Sequence, residues 1–106
     1  KKITKWIIET GALSKDEIRN ISKRITNLVQ ANFPKFTSKI FIKTSTGYYG
    51  GYGATIKDLK LIKSVSGNLK IKASGGVSNL TDANAMIKAG ADRIGTSKAQ
   101  LIYNEK

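Results

Sequence analysis

Apolar positions along this chain keep changing period, from dense short runs to helical spacing and back. Ile3 to Glu9 is a compact run rich in β-branched and aromatic residues, with Trp6, Ile7 and Ile8 adjacent. It predicts a short buried strand, which Thr10 and Gly11 end. The period then lengthens, and Ile18, Ile21, Ile25, Leu28 and Val29 fall on one face of a helix. Ser14 with Glu17 three residues on makes a capping box, so this helix starts near Lys15, and Asn32 to Pro34 stops it. Residues 37–43 predict a second strand, followed by the glycine- and tyrosine-rich loop from Gly47 to Gly53. Ala54 and Thr55 open a second helix, with Asp58 near its positive end and Ile56, Leu59, Ile62 and Val65 on its buried side. Leu69 to Ala73 gives the third strand, and a helix from about Thr81 to Ala89 ends at Gly90. Asp92 to Gly95 is a fourth, short strand, and Thr96 and Ser97 open a last helical stretch to Tyr103.

The order is βαβαβαβα. Strict alternation of this kind predicts a parallel sheet with helical crossovers, the opening of both doubly wound sheets and (β/α)₈ barrels. Both architectures place their sites just after the strands, where the chain's chemistry-bearing residues lie. Lys43-Thr-Ser-Thr-Gly47 at the end of the second strand is echoed by Lys72-Ala-Ser-Gly-Gly76 at the end of the third, so Lys-x-Ser-x-Gly occurs twice. Neighbouring parallel strands lie about 4.8 Å apart, so two lysines at one level feel each other's charge. Like charge favours the neutral amine on one of them, and a neutral amine is a nucleophile for carbonyls. The glycine-bearing loops 44–47, 74–76 and 95–97 end three consecutive strands. Such loops bring backbone N–H groups and helix N-termini to an anion, although each taken alone also reads as an ordinary turn.

Composition narrows the chemistry. The chain has 106 residues, 40% of them hydrophobic, which suits a single domain. It holds neither cysteine nor histidine, which excludes disulfides, thiol and imidazole catalysis and nearly every zinc site, and no metal or organic cofactor is expected. No apolar run approaches a membrane span and residues 1–10 lack the shape of a secretory signal, so a soluble, cytoplasmic protein is expected. The net charge of +12 raises nucleic acid as a partner through counterion release. Against it, the lysines are dispersed, and the only arginines are Arg19, Arg24 and Arg93, whereas base-reading contacts lean on arginine.

Three segments carry a resemblance: 41–47 (Phe-Ile-Lys-Thr-Ser-Thr-Gly), 71–77 (Ile-Lys-Ala-Ser-Gly-Gly-Val) and 89–97 (Ala-Gly-Ala-Asp-Arg-Ile-Gly-Thr-Ser). In this order they resemble the deoxyribose-phosphate aldolases, as do Ile7-Ile8-Glu9-Thr10-Gly11 and Gly53-Ala54-Thr55. The likeness implies a class I aldolase on a TIM (β/α)₈ barrel. It would cleave 2-deoxyribose 5-phosphate reversibly to acetaldehyde and glyceraldehyde 3-phosphate. It assigns the Schiff base to Lys43 and the tuning of that amine to Lys72. It assigns the substrate phosphate to Gly47, Gly75, Gly76, Gly95 and Ser97. A full barrel takes about 250 residues. The chain is therefore expected to be the C-terminal half, strands five to eight, with residues 1–106 forming one (β/α)₄ segment.

The resemblance also marks what is missing. The family's proton-relay aspartate and the aspartate that partners the second lysine fall on earlier strands, and neither Asp58 nor Asp82 matches their motifs. Tyr103 lies in no shared motif and takes no role. The expected partners are a phosphorylated sugar and either the complementary N-terminal half of the barrel or further copies of the chain. A non-catalytic phosphate-binding half-barrel, a basic nucleic-acid-binding domain and a Schiff-base aldolase of other specificity are the alternatives.

Overall fold

A computed structural model describes residues 3–45, 53–75, 77 and 79–96. Strand β1 (Thr4–Ile7) leads through a 3-10 turn at Thr10–Ala12 into α1 (Lys15–Asn32). A second 3-10 segment, Pro34–Lys39, precedes β2 (Ile40–Lys43). Then come α2 (Ile56–Val65), β3 (Lys70–Ser74), α3 (Leu80–Ala89) and β4 (Arg93–Gly95). The four strands form one sheet in the order β1-β2-β3-β4, and every pairing is parallel. This is the α/β alternation of a (β/α) half-barrel.

Each helix starts where a side chain satisfies its first backbone donors. The Ser14 hydroxyl accepts from the Glu17 N–H at 3.1 Å while the Ser14 N–H donates to the Glu17 carboxylate at 2.8 Å, completing the capping box. Thr55 caps α2 by accepting from the Asp58 N–H, and Asn79 caps α3 by accepting from the Asp82 N–H. Gly90 closes α3, its N–H directed at the Ile87 and Met86 carbonyls.

Alternation along the strands sends one set of side chains to the helices. Ile40, Ile42, Ile71 and Ala73 pack there with Ile18, Ile25, Val29, Leu59, Ile62, Ala83 and Met86 into a single core. Asp58 is buried between α1 and α2, where it takes a salt bridge from Lys15. Its carboxylate ties two helices together, a structural role. The opposite face of the sheet carries Lys5, Phe41, Lys43, Lys70, Lys72 and Arg93.

The first strand differs from its expected burial. Trp6 is 43% exposed and Ile7 48%, because β1 pairs on one side only, with β2. Ile21 and Leu28, expected on the buried face of α1, are exposed as well, while Ile18, Ile25 and Val29 take the core positions. The second strand begins at Ile40 rather than at residue 37, since Pro34 starts a 3-10 turn that runs to Lys39. The third runs Lys70–Ser74, one residue later than expected. Most of the Gly47–Gly53 loop and the stretch from Ser97 to Tyr103 lie outside the described residues. Among the described residues no helix is long and apolar enough to cross a membrane.

Trp6, Leu28, Phe33 and Phe36 line an apolar hollow beside the open edge of β1. An unpaired parallel edge flanked by such a surface invites a second chain. The chain alone is expected to sediment as a species heavier than its 11.5 kDa monomer. Trp6→Ser with Leu28→Ser should move it toward monomer, and a monodisperse wild-type monomer would contradict the expectation.

Candidate active site

The register of β2 against β3 pairs Ile42 with Ile71 and, one step on, Lys43 with Lys72. Ile42 and Ile71 are fully buried against the helices, so alternation turns both lysines to the opposite face at the same level. Two lysines from separate motifs thus become neighbours through the burial of two isoleucines.

The residues after Lys43 lock this register. The Thr44 N–H donates to the Lys72 carbonyl at 3.1 Å. The Thr44 hydroxyl accepts from the Ser74 N–H at 3.0 Å and faces the Ser74 carbonyl at 3.2 Å. The Ser45 hydroxyl donates to that same carbonyl at 2.9 Å. Ala54, at the return of the long loop, adds its N–H to the Ser74 carbonyl at 3.0 Å. Thr44 and Ser45 are completely buried, so their hydroxyls serve the β2–β3 junction. Their sequence context suggested an anion-tolerant loop; the structure spends them inward. On the other side, Ile8 and Thr10 donate to the carbonyls of Lys43 and Thr44, fixing β1 to the same strand end.

Of the residues expected at the phosphate, Gly75 and Gly95 are described, while Gly47, Gly76 and Ser97 lie outside the described residues. Gly75 follows β3 at φ +78°, a conformation that side chains rarely adopt. Gly95 pairs with Ser74, and a Cβ there would meet Lys72 Cε at 2.9 Å and Ser74 Oγ at 3.0 Å. Its bare backbone is the space in which the Lys72 side chain lies. The Thr96 hydroxyl donates to the Val77 carbonyl at 2.7 Å, drawing the exit of β4 to the loop after β3.

The electrostatics centre on Lys72. Burial, then the positive charges of Lys5, Lys43 and Arg93, hold its amine below the ordinary lysine range. Arg93 also stacks over the Phe41 ring, 4.8 Å from its centroid. Lys5 and Arg93 are the site residues that sequence reasoning missed. The signal for Lys5 is its position two residues before Ile7, the register partner of Lys43. It was readable only once β1 was known to lie beside β2.

The Thr44 clamp is testable on its own. Thr44→Val removes the acceptor of a buried Ser74 N–H and should cost about 1–3 kcal/mol, whereas Thr44→Ser should recover most of it. Urea unfolding of the two variants decides the matter. Equal stability of Thr44→Val and wild type would show that the hydroxyl does not hold the junction.

No family model matches the chain. The deoxyribose-phosphate aldolase of Dictyoglomus turgidum is 44% identical over 104 residues, which are 97% of this chain and 43% of that protein. That of Staphylococcus carnosus is 49% identical over 94 residues, 88% of this chain and 38% of the relative. Among solved structures, an aldolase designated QR15 superposes with a TM-score of 0.77 at 43% identity, over 95% of this chain and 42% of its own. The deoxyribose phosphate aldolase of Aeropyrum pernix, described as a tetramer, superposes with a TM-score of 0.75 at 26% identity, over 97% of this chain and 41% of its own. The chain thus spans about two fifths of the length of the curated relatives it matches. Across that span, this chain is similar in sequence and in fold to the deoxyribose-phosphate aldolases.

Proposed function

We propose that this chain supplies the imine-forming half of a class I aldolase acting on 2-deoxyribose 5-phosphate, with Lys43 as the Schiff-base lysine. The observation that carries this reading is the register pairing of Lys43 with Lys72, whose amine is held low by burial and by three neighbouring cations. With Lys72 beside it in register, the free amine of Lys43 attacks the aldehyde carbon of the open-chain sugar. Loss of water leaves a protonated imine. Its positive nitrogen accepts the electron pair as the carbon–carbon bond breaks, releasing glyceraldehyde 3-phosphate and leaving an enamine, which is protonated and hydrolysed to acetaldehyde.

The substrate phosphate in this reading lies against Gly47, Gly75, Gly76, Gly95 and Ser97. Gly75 and Gly95 support it by ending adjacent strands, joined through the Thr96–Val77 hydrogen bond. The cations that depress Lys72 are matched by no carboxylate among its perturbing groups. The proton relay that completes the reaction is accordingly assigned to the complementary half of the barrel. Lys43 and Lys72 need no metal for imine chemistry.

Borohydride trapping tests the assignment. Acetaldehyde followed by borohydride should leave an ethyl group on Lys43 of the assembled enzyme, read by peptide mass spectrometry. Lys43→Ala should abolish the label and Lys72→Ala should weaken it. The sign of the pH dependence follows from Lys72. Its free base is populated below the ordinary lysine value of about 10.4, so trapping should rise with pH and level off before that value. Removing Lys72 should push the rise to higher pH. Label spread evenly over exposed lysines, or confined to Lys72, would overturn the assignment of Lys43.

A further inference from the structure

Among the described residues, the buried hydroxyls of Thr10, Ser22 and Ser74 find no hydrogen-bond partner. Of these three, Ser74 is the one that stands on a strand, at the end of β3. Lys72 and Ser74 are two residues apart, so their side chains share a face, while Ala73 between them enters the core. Ser74 is also the register partner of Gly95 on β4. Its backbone is fully engaged. The N–H donates to the Thr44 hydroxyl, and the carbonyl accepts from the Thr44 and Ser45 hydroxyls and from the Ala54 N–H. These bonds fix where the side chain stands without satisfying its Oγ. The atoms nearest to the point where a Gly95 Cβ would sit are Lys72 Cε at 2.9 Å, Ser74 Oγ at 3.0 Å and Lys72 Nζ at 3.6 Å. An amine and a buried, unpaired hydroxyl therefore flank one bare point of backbone.

We propose that Ser74 is a positioning residue for Lys72: over the bare backbone of Gly95 its hydroxyl takes up the Lys72 amine in a hydrogen bond and holds it at the level of Lys43. The proposal rests on the aldolase reading for its purpose, but the contact does not depend on it. A buried hydroxyl without a partner destabilises the fold, and one hydrogen bond removes that cost. A turn about the Lys72 Cδ–Cε bond carries Nζ around Cε toward Oγ while the rest of the side chain stays in place. A hydroxyl has one donor and two acceptor lone pairs, so it accepts from the ammonium and donates to the free amine. A carboxylate in its place would hold the amine charged. Gly95 is part of the same device, because a Cβ there would press on Lys72 Cε and on Ser74 Oγ at once. The register of β2 against β3 brings the backbones of Lys43 and Lys72 level. Ser74 adds a fixed direction for the long side chain of Lys72.

The test is a double-mutant cycle read by urea unfolding of the 106-residue chain, with all variants at one protein concentration. If the hydroxyl holds the Lys72 amine, Ser74→Ala should lower the unfolding midpoint by about 0.5 M urea. In a Lys72→Met background the same change should leave the midpoint in place or raise it, because there it removes an orphaned hydroxyl. Ser74→Cys, close in size but a weak acceptor, should follow Ser74→Ala and guards against a packing defect in the alanine variant. A midpoint that stays or rises in both single variants, or a fall of equal size with and without Lys72, would overturn the proposal. Borohydride trapping of acetaldehyde in the assembled enzyme supplies the functional readout. Ser74→Ala should slow labelling of Lys43 about fivefold, the worth of one hydrogen bond, and should slow it no further in Lys72→Met. A merely structural defect in β3 would slow labelling in both backgrounds and would overturn the positioning role. Coupling in urea without any imine on Lys43 would remove the aldolase reading and leave the contact. Trapping on Lys43 without coupling between Ser74 and Lys72 would remove only the contact.

Discussion

The site depends on how β2 is seated against β3. Burial of Ile42 and Ile71 under the helices decides which residues share a level, and the next level holds Lys43 and Lys72. Strand side chains alternate with a period of two, so a slip of one residue would drive a lysine toward the core and an isoleucine to the site. That cost makes the register discrete, and the Thr44 and Ser45 hydroxyls lock it at the strand end. Apolar burial on one face thus positions polar chemistry on the other.

The cationic face is an electrostatic load on the fold. Lys5, Lys43, Lys72 and Arg93 share one face of the sheet, and burial together with the neighbouring charges lowers the Lys72 amine. The effect has a direction with pH. A lysine whose folded value is depressed opposes folding while protonated, and stability recovers as pH rises from the folded value toward the unfolded one. Asp58, by contrast, spends its charge on Lys15 between two helices and takes no part in the site.

Much of this was legible in the chain. Capping residues Ser14, Thr55 and Asn79 and the closing Gly90 sit at helix ends, since local hydrogen bonding decides those positions. The paired Lys-x-Ser-x-Gly motifs announced the neighbouring lysines, and the resemblance named the family. What failed is non-local. The burial of Trp6 and Ile7 was misjudged because apolar character says nothing about whether a strand has two neighbours or one. Thr44 and Ser45 looked open to an anion because only the fold shows that Ser74 claims both hydroxyls. Gly95 was assigned to phosphate by its loop and by family likeness, and the fold adds that its bare backbone leaves room for Lys72. Lys5 was overlooked because Lys72, on which its charge acts, lies two strands away.

The most direct measurement of the central claim is proximity between positions 43 and 72 in solution. The chain has no native cysteine, so Lys43→Cys with Lys72→Cys gives two unique thiols for a short fluorogenic bis-thiol crosslinker. Rapid intrachain crosslinking is predicted for this pair, and little for Lys43→Cys with Ala73→Cys, whose second thiol points to the opposite face of β3. Equal crosslinking of the two pairs, or none in the first, would contradict the register on which the site is built.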